Sequence, residues 1–240
     1  MNLLKSLKKR LFPAPKIAPK LCTYDQQLVA VMRRVLRPDS SCIDVGSHVG
    51  DVLREMIAVA PRGKHHAFEA LPHLATKLKA RFSAVVHTSA VAEKSGTSEF
   101  QHVENDPGYS GLRQRIYDRP DPQITTILVP VTTIDETIPT NLKITLLKLD
   151  IEGGEYHALR GATSLIRRCR PYIAFEASHK STGQYGVSSG DMYDLLATLG
   201  YDLSTMKRWL AGAGPITKAT FAQNWLHGPD FFWFAVPMAA

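Results

Sequence analysis

Apolar positions recur along this chain in two rhythms that take turns, one of helical period and one of short unbroken runs. From 23 to 36, Leu28, Val29, Met32, Val35 and Leu36 fall on one helical face behind Thr23, a suitable N-cap, and Pro38-Asp39-Ser40 ends the run. The short apolar run 41–45 predicts a strand, followed by a glycine-containing turn and a helix over about 50–59. A second strand over 65–69, a helix opened by Pro72 and running to 82, and a third strand over 84–88 continue the alternation. Segments 90–92 and 97–103 flank Glu93-Lys94-Ser95-Gly96 and predict a hairpin. Turn residues dominate 104–122, which predicts a long loop, either disordered or a functional lid. A strand over 125–131, a helix start at Thr133 to Glu136, a strand ending at Leu149, a helix over about 154–168 and a strand over 172–176 follow. The last elements are a helix over 191–199, closed by Gly200, and strands over 201–206 and 231–236 joined by a connection with little helical pattern. Alternating strands and helices predict an α/β fold, a doubly wound and mostly parallel sheet whose last strand is antiparallel.

Composition changes little in this picture. The 240 residues are 44% hydrophobic and 21% charged, which fits a basic tail and linker over 1–20 and a single domain over 21–240. The net charge of +7 would suit nucleic acid, but its location argues otherwise: Lys5, Lys8, Lys9, Arg10, Lys16 and Lys20 lie in the tail, and the remaining chain is nearly balanced. No nucleic-acid partner is therefore expected. Leu3, Leu4, Leu7, Leu11 and Phe12 alternate with those cations, a pattern that would suit weak contact with a membrane surface; a solvated terminus is the simpler reading. Cys22, Cys42 and Cys169 form no metal or disulfide pattern, and no secretion signal is present. A cytoplasmic protein follows, at most peripheral at the inner membrane surface. The sequence is silent on oligomeric state.

Chemistry concentrates at two strand ends. The run Ile144 to Leu149 breaks into Asp150-Ile151-Glu152-Gly153-Gly154-Glu155, as a buried parallel strand does where open α/β sheets form their ligand crevice. Lys148 within that strand is costly unless paired, and Asp150 is its expected partner. The first strand ends in Asp44-Val45-Gly46-Ser47-His48-Val49-Gly50, and Glu69 stands 25 residues beyond Asp44, where a ribose diol would be received. The Gly-x-x-x-Gly spacing differs from the dinucleotide fingerprint, and a carboxylate at Asp44 would repel pyrophosphate. It would suit an ammonium and a sulfonium, and S-adenosylmethionine carries both. The expected cofactor set is Asp44, Gly46, Ser47, His48, Gly50, Glu69, Ala90 and Asp150.

Several blocks resemble the FkbM-type methyltransferases: Asp44 to Gly50, Ala67-Phe68-Glu69-Ala70, Val129 to Asp135, Leu147 to Glu155 with Leu159-Arg160-Gly161-Ala162, and Arg170-Pro171 leading to Phe175-Glu176. The resemblance covers roughly residues 40–205, with a last strand at 231–237. It implies a Rossmann-like class I methyltransferase acting mainly on oxygen, with a hydroxyl of a sugar, glycolipid or secondary metabolite as small-molecule or glycan acceptor. The chain departs from the family pattern at Ser47-His48, at Ala177-Ser178-His179 and after Met206, and these departures bear on the acceptor. Deprotonating a hydroxyl needs a base, and Asp150, Glu176 and His179 are the expected catalytic residues. Asp150, Glu152 and Glu176 could instead bind a divalent metal; a metal-free site is preferred. His65 and His66 face opposite ways in a strand and are not expected to bind metal. Trp209, Trp225 and Tyr185 either stack on a sugar or simply pack. Two other functions compete: a non-catalytic binding module of the same fold, and a nicotinamide-dependent enzyme.

Overall fold

Buried runs of β-branched and small residues build the centre of the sheet. The computed structural model describes residues 24–118 and 120–239; the basic tail and the Thr23 cap lie outside the described residues. In chain order the strands are β1 (Ser41–Val45), β2 (His66–Phe68), β3 (Val85–His87), β4 (Ala90–Val91), β5 (Gly96–Val103), β6 (Ile124–Thr132), β7 (Ile144–Leu149), β8 (Tyr172–Glu176), β9 (Tyr201–Ser204) and β10 (Phe232–Pro237). The helices are α1 (Tyr24–Val35), α2 (Asp51–Val59), α3 (Pro72–Arg81), α4 (Ile134–Thr137), α5 (Glu155–Arg160), α6 (Thr163–Cys169), α7 (Ser189–Thr198), α8 (Met206–Leu210) and α9 (Lys218–His227).

Seven strands form the main sheet in the order β3-β2-β1-β7-β8-β10-β9. The pairs among β3, β2, β1, β7 and β8 are parallel, and β10 runs antiparallel to both its neighbours. The antiparallel last strand is as expected, but it lies inside the sheet, with β9 at the edge. Alternate residues of the central strands supply two cores. Ile43, Leu147, Phe175 and Trp233 face one way with the helices after β7 and β8, and Cys42, Leu146, Ala174 and Phe234 face α1, α2 and α8. None of the described helices is long and apolar enough to cross a membrane.

Three expectations about elements are corrected. The segments 90–92 and 97–103 do not pair with each other. Both pair with β6, which lies between them: Ala90 and Gly96 each face Val131 from opposite sides. The predicted helix over 154–168 is two helices. It breaks at Gly161, where a Cβ would lie 2.2 Å from the Ala92 carbonyl oxygen, so β4 can approach. Asp135 then caps α6, accepting from Ser164 and Leu165 backbone N–H groups at 2.9 and 2.7 Å. The connection 205–231 is not irregular: Thr205 and Thr217 cap α8 and α9.

Candidate active site

The carboxyl ends of β1, β2, β7 and β8 converge on one side of the sheet. After β1 the chain turns through Gly46 (φ +76°), where a Cβ would stand 1.9 Å from the Asp150 carbonyl oxygen. Only glycine lets the two strand ends meet this closely. Glu69 ties the turn to β2, with its carboxylate accepting from the His48 N–H at 2.7 Å and the Leu71 N–H at 2.9 Å. Burial pushes the Glu69 carboxyl up, against these two N–H donors.

A first crevice encloses about 560 Å³ of empty space, part of it open to solvent. Of the cofactor set read from the sequence, Gly46, His48, Glu69, Ala90 and Asp150 line it. Asp44, Ser47 and Gly50 are not among its lining residues. Asp44 is fully buried and faces the Lys148 ammonium at 3.1 Å. The expectation that Asp44 meets the cationic end of a ligand is therefore corrected: an internal lysine holds that position. The Ser47 hydroxyl donates to the Asp44 carbonyl at 2.9 Å, and Gly50 (φ +87°) packs against Phe82 and Leu78. Both shape the turn from behind.

Lys148 is 3% exposed and has four oxygens around it. Besides Asp44 it approaches the Gly46 carbonyl at 2.8 Å, the Val45 carbonyl at 3.4 Å and Asp150 at 3.6 Å. Asp150 is thus the second partner, not the first. Burial alone would discharge the lysine, but Asp44 and Asp150 outweigh it and hold the ammonium above its usual range.

Beyond β7 the chain makes a tight turn with Glu152 at φ 61° and Gly153 at φ 112°. Glu155 closes it, accepting from the Ile151 and Gly153 N–H groups at 2.8 and 3.4 Å. Burial pushes the Glu155 carboxyl up to about 7. This geometry brings the carboxylates of Asp150, Glu152 and Glu176 within 4.8 Å of one another. Among the described residues this is the set that could hold a metal ion, and hard cations take such oxygen donors. Glu176 is raised well above the usual carboxylate range by burial and by the nearby charge of Asp150, against the pull of Arg115.

Arg115 is the residue the sequence did not reveal. It comes from the long loop, its side chain is 7% exposed, and its guanidinium bonds Glu152 and lies 3.5 Å from Glu176. The loop is held in place: Ile116 N–H donates to the Lys180 carbonyl at 3.0 Å, and Arg113 N–H to the Tyr185 hydroxyl at 3.1 Å. A second crevice, enclosing about 1150 Å³ of empty space, part of it open to solvent, adjoins the first; the two share Gly108, Asp150 and Glu152. Arg115, Glu176 and Trp225 line it.

His179 does not join the cluster. Past β8 the Ala177 and His179 N–H groups donate to the Phe231 and Trp225 carbonyls at 2.8 and 3.1 Å. The chain turns at 179–180, the Ser178 carbonyl accepting from the Gly183 N–H at 3.1 Å; Ser178 and Lys180 line the second crevice, while His179 is exposed beside Gly183 and lines neither crevice. The expectation of a catalytic His179 is corrected on this ground. Of the three aromatics, Trp209 packs on Tyr172 and Phe234 away from the site, and Tyr185 packs against Gly153. His66 does not stand alone in its strand: its Nδ1 lies 3.0 Å from His87 Nε2 on β3.

A family model described as the methyltransferase FkbM domain matches residues 44–203. Among solved structures, the methyltransferase FkbM from Methylobacillus flagellatus KT is 20% identical with a TM-score of 0.54. The match covers 89% of this chain and 48% of that one, so the chain spans about half the length of that protein. A protein described as an rRNA-methylase from Clostridium thermocellum is 6% identical with a TM-score of 0.51, covering 92% and 98% of the two chains. A TehB-like SAM-dependent methyltransferase from Corynebacterium glutamicum is 11% identical with a TM-score of 0.47, covering 98% and 97%. No curated protein matches the sequence significantly.

Proposed function

Because the chain belongs to the FkbM methyltransferase family, matched over residues 44–203, we propose that it transfers a methyl group from S-adenosylmethionine to a hydroxyl of a sugar, glycolipid or secondary metabolite. One observation carries the choice of cofactor. Glu69, Asp150 and Glu152 line the first crevice, and no lysine or arginine does among the described residues. Such a lining repels the phosphates of a dinucleotide and suits a cationic ligand with a ribose. Glu69 uses one lone pair on each oxygen for the His48 and Leu71 N–H groups, and the remaining lone pairs are free for a diol. The cofactor, when bound, supplies an electrophilic methyl group and needs an aligned nucleophile.

The chain's own residues must then orient the acceptor and take one proton. Asp150 stands where the two crevices meet, its side chain one-third exposed beside Lys148. It is the base in this reading. Glu176, whose carboxyl burial pushes up, stands beside it and within reach of Arg115.

Calorimetric titration with S-adenosylhomocysteine, S-adenosylmethionine and NAD tests the cofactor. The first two should bind and NAD should not. Glu69→Ala should cost about 1.5–3 kcal/mol of S-adenosylhomocysteine affinity, the worth of hydrogen bonds to a charged acceptor. An unchanged dissociation constant would remove Glu69 from the ribose. Asp150→Asn should lower turnover by about 10²–10⁴-fold, and His179→Ala should leave it near wild type.

A further inference from the structure

The second crevice holds two cations among its described lining residues, and both are already paired. Lys180 Nζ lies 2.5 Å from Asp118, and the Arg115 guanidinium bridges Glu152 and Glu176. Asp150 adds a further carboxylate to the same wall. A phosphate or carboxylate entering here would meet acids without a free counter-charge, and would lose its hydration with no return. A hydroxyl or an amine meets no such penalty.

Both carboxylate contacts of Arg115 run through Nη1. Its Nε is buried and has no hydrogen-bond partner, although the side chain lines the crevice. A buried N–H of a charged group without an acceptor pays its desolvation in full, so an incoming oxygen that accepts from it recovers that cost. The Tyr109 ring, 5.1 Å from the guanidinium carbon, limits how the arginine can reorient.

Resting on the methyltransferase reading above, we propose that this crevice selects a hydroxylated acceptor carrying no anionic group, and that Arg115 holds an oxygen of it through Nε–H. Arg115 is thus a specificity residue. Its other two contacts keep Glu152 and Glu176 apart from the acceptor's reacting hydroxyl, which is left to Asp150.

The test incubates the full chain with methyl-labelled S-adenosylmethionine and a metabolite and glycan extract, then separates the labelled products by charge on anion and cation exchangers. Label is expected in the neutral and cation-bound fractions. Arg115→Gln should reduce labelled product by about 10–100-fold, the loss of a hydrogen bond to a charged group, with the loss falling on acceptor KM. Arg115→Lys should recover only part, because a lysine has no Nε–H in that plane. Both variants should bind S-adenosylhomocysteine within about threefold of wild type, which shows that they fold. Label concentrated in the anion-bound fraction would overturn the charge selection. A wild-type rate in Arg115→Gln would overturn the role of Arg115. A wild-type chain that fails to bind S-adenosylhomocysteine would instead overturn the underlying methyltransferase reading.

Discussion

Lys148 shows how one register decides a site. The parallel pairing of β1 and β7 sets Asp44 directly beside Lys148, with Ala67 and Ala174 as the outer neighbours in the same row. Two alanines leave room for a buried lysine and aspartate between them. The pair fastens the ends of the two central strands from inside, where the Lys148 ammonium also gathers the Val45 and Gly46 carbonyls. Lys148→Met should therefore cost about 3–5 kcal/mol, since it strands the Asp44 charge with no exposure to water. Adding Asp44→Asn should return much of that loss, because removing both charges removes the desolvation cost as well. Denaturant midpoints of the single and double variants measure this; a double variant no better than Lys148→Met would mean that the pair is not what the lysine stabilises. The cost of Lys148 was visible in the sequence, but its partner was not. Asp150 shares its strand and is near in sequence, whereas Asp44 is reached only through the sheet register.

At the scale of elements, the turn from β7 into α5 carries most of the chemistry, and it is held by a group that titrates. Glu155 is buried, and its carboxyl lies near 7 in place of 4.5. A raised carboxyl means that the folded chain keeps a proton which the unfolded chain gives up. The stabilisation is fully present below about 4.5 and is lost as pH rises through about 7. Glu155→Gln should remove that slope, so its stability relative to wild type should improve between pH 5 and pH 8 by about 2–4 kcal/mol. Parallel thermal unfolding curves at the two pH values would deny it. The sequence marked this turn well, because an apolar strand running into carboxylates and glycines has a single reading in an open α/β sheet. It marked other elements poorly, each for a physical reason. Helices α8 and α9 are five and ten residues long, and the stretch between them contains Gly212, Gly214 and Pro215, so no apolar period builds up across the connection. The segments 90–92 and 97–103 read as a hairpin because their turn suits one; the strand that separates them, β6, arrives only after the long loop. His179 drew attention as a titratable group past a strand end, but the chain turns there and leaves its side chain exposed.

Across the whole molecule, the loop between β5 and β6 belongs to both crevices, as does the end of β7 with Asp150 and Glu152. Gly108 lines both; Ser110 and Leu112 line the first, and Tyr109 and Arg115 line the second. Arg115 was not recoverable from sequence, since its partners Glu152 and Glu176 lie 37 and 61 residues away and the loop has no period to point inward. The loop was expected to be disordered or a lid, and the structure gives it fixed anchors at Gln101, Lys180 and Tyr185. Between Gly111 and Asp118 the anchors to the rest of the fold include one bridge, the Ile116 and Arg113 N–H bonds, the buried Arg115 guanidinium and the exposed Asp118–Lys180 pair, with Ile116 and Arg113 themselves exposed. An element so attached opens at low free energy relative to the sheet beneath it. A ligand that packs on Ser110 and Leu112 from the first crevice must therefore also order Arg115 in the second, and the two bindings become coupled. S-adenosylhomocysteine should slow amide exchange across residues 107–116, well beyond the residues it could touch. Arg115→Gln should speed exchange over the same span in the free protein and leave β1 and β7 protected. If exchange at Tyr109 and Arg115 ignores the cofactor while Ser110 and Leu112 respond, the loop moves as two pieces and the two crevices are independent.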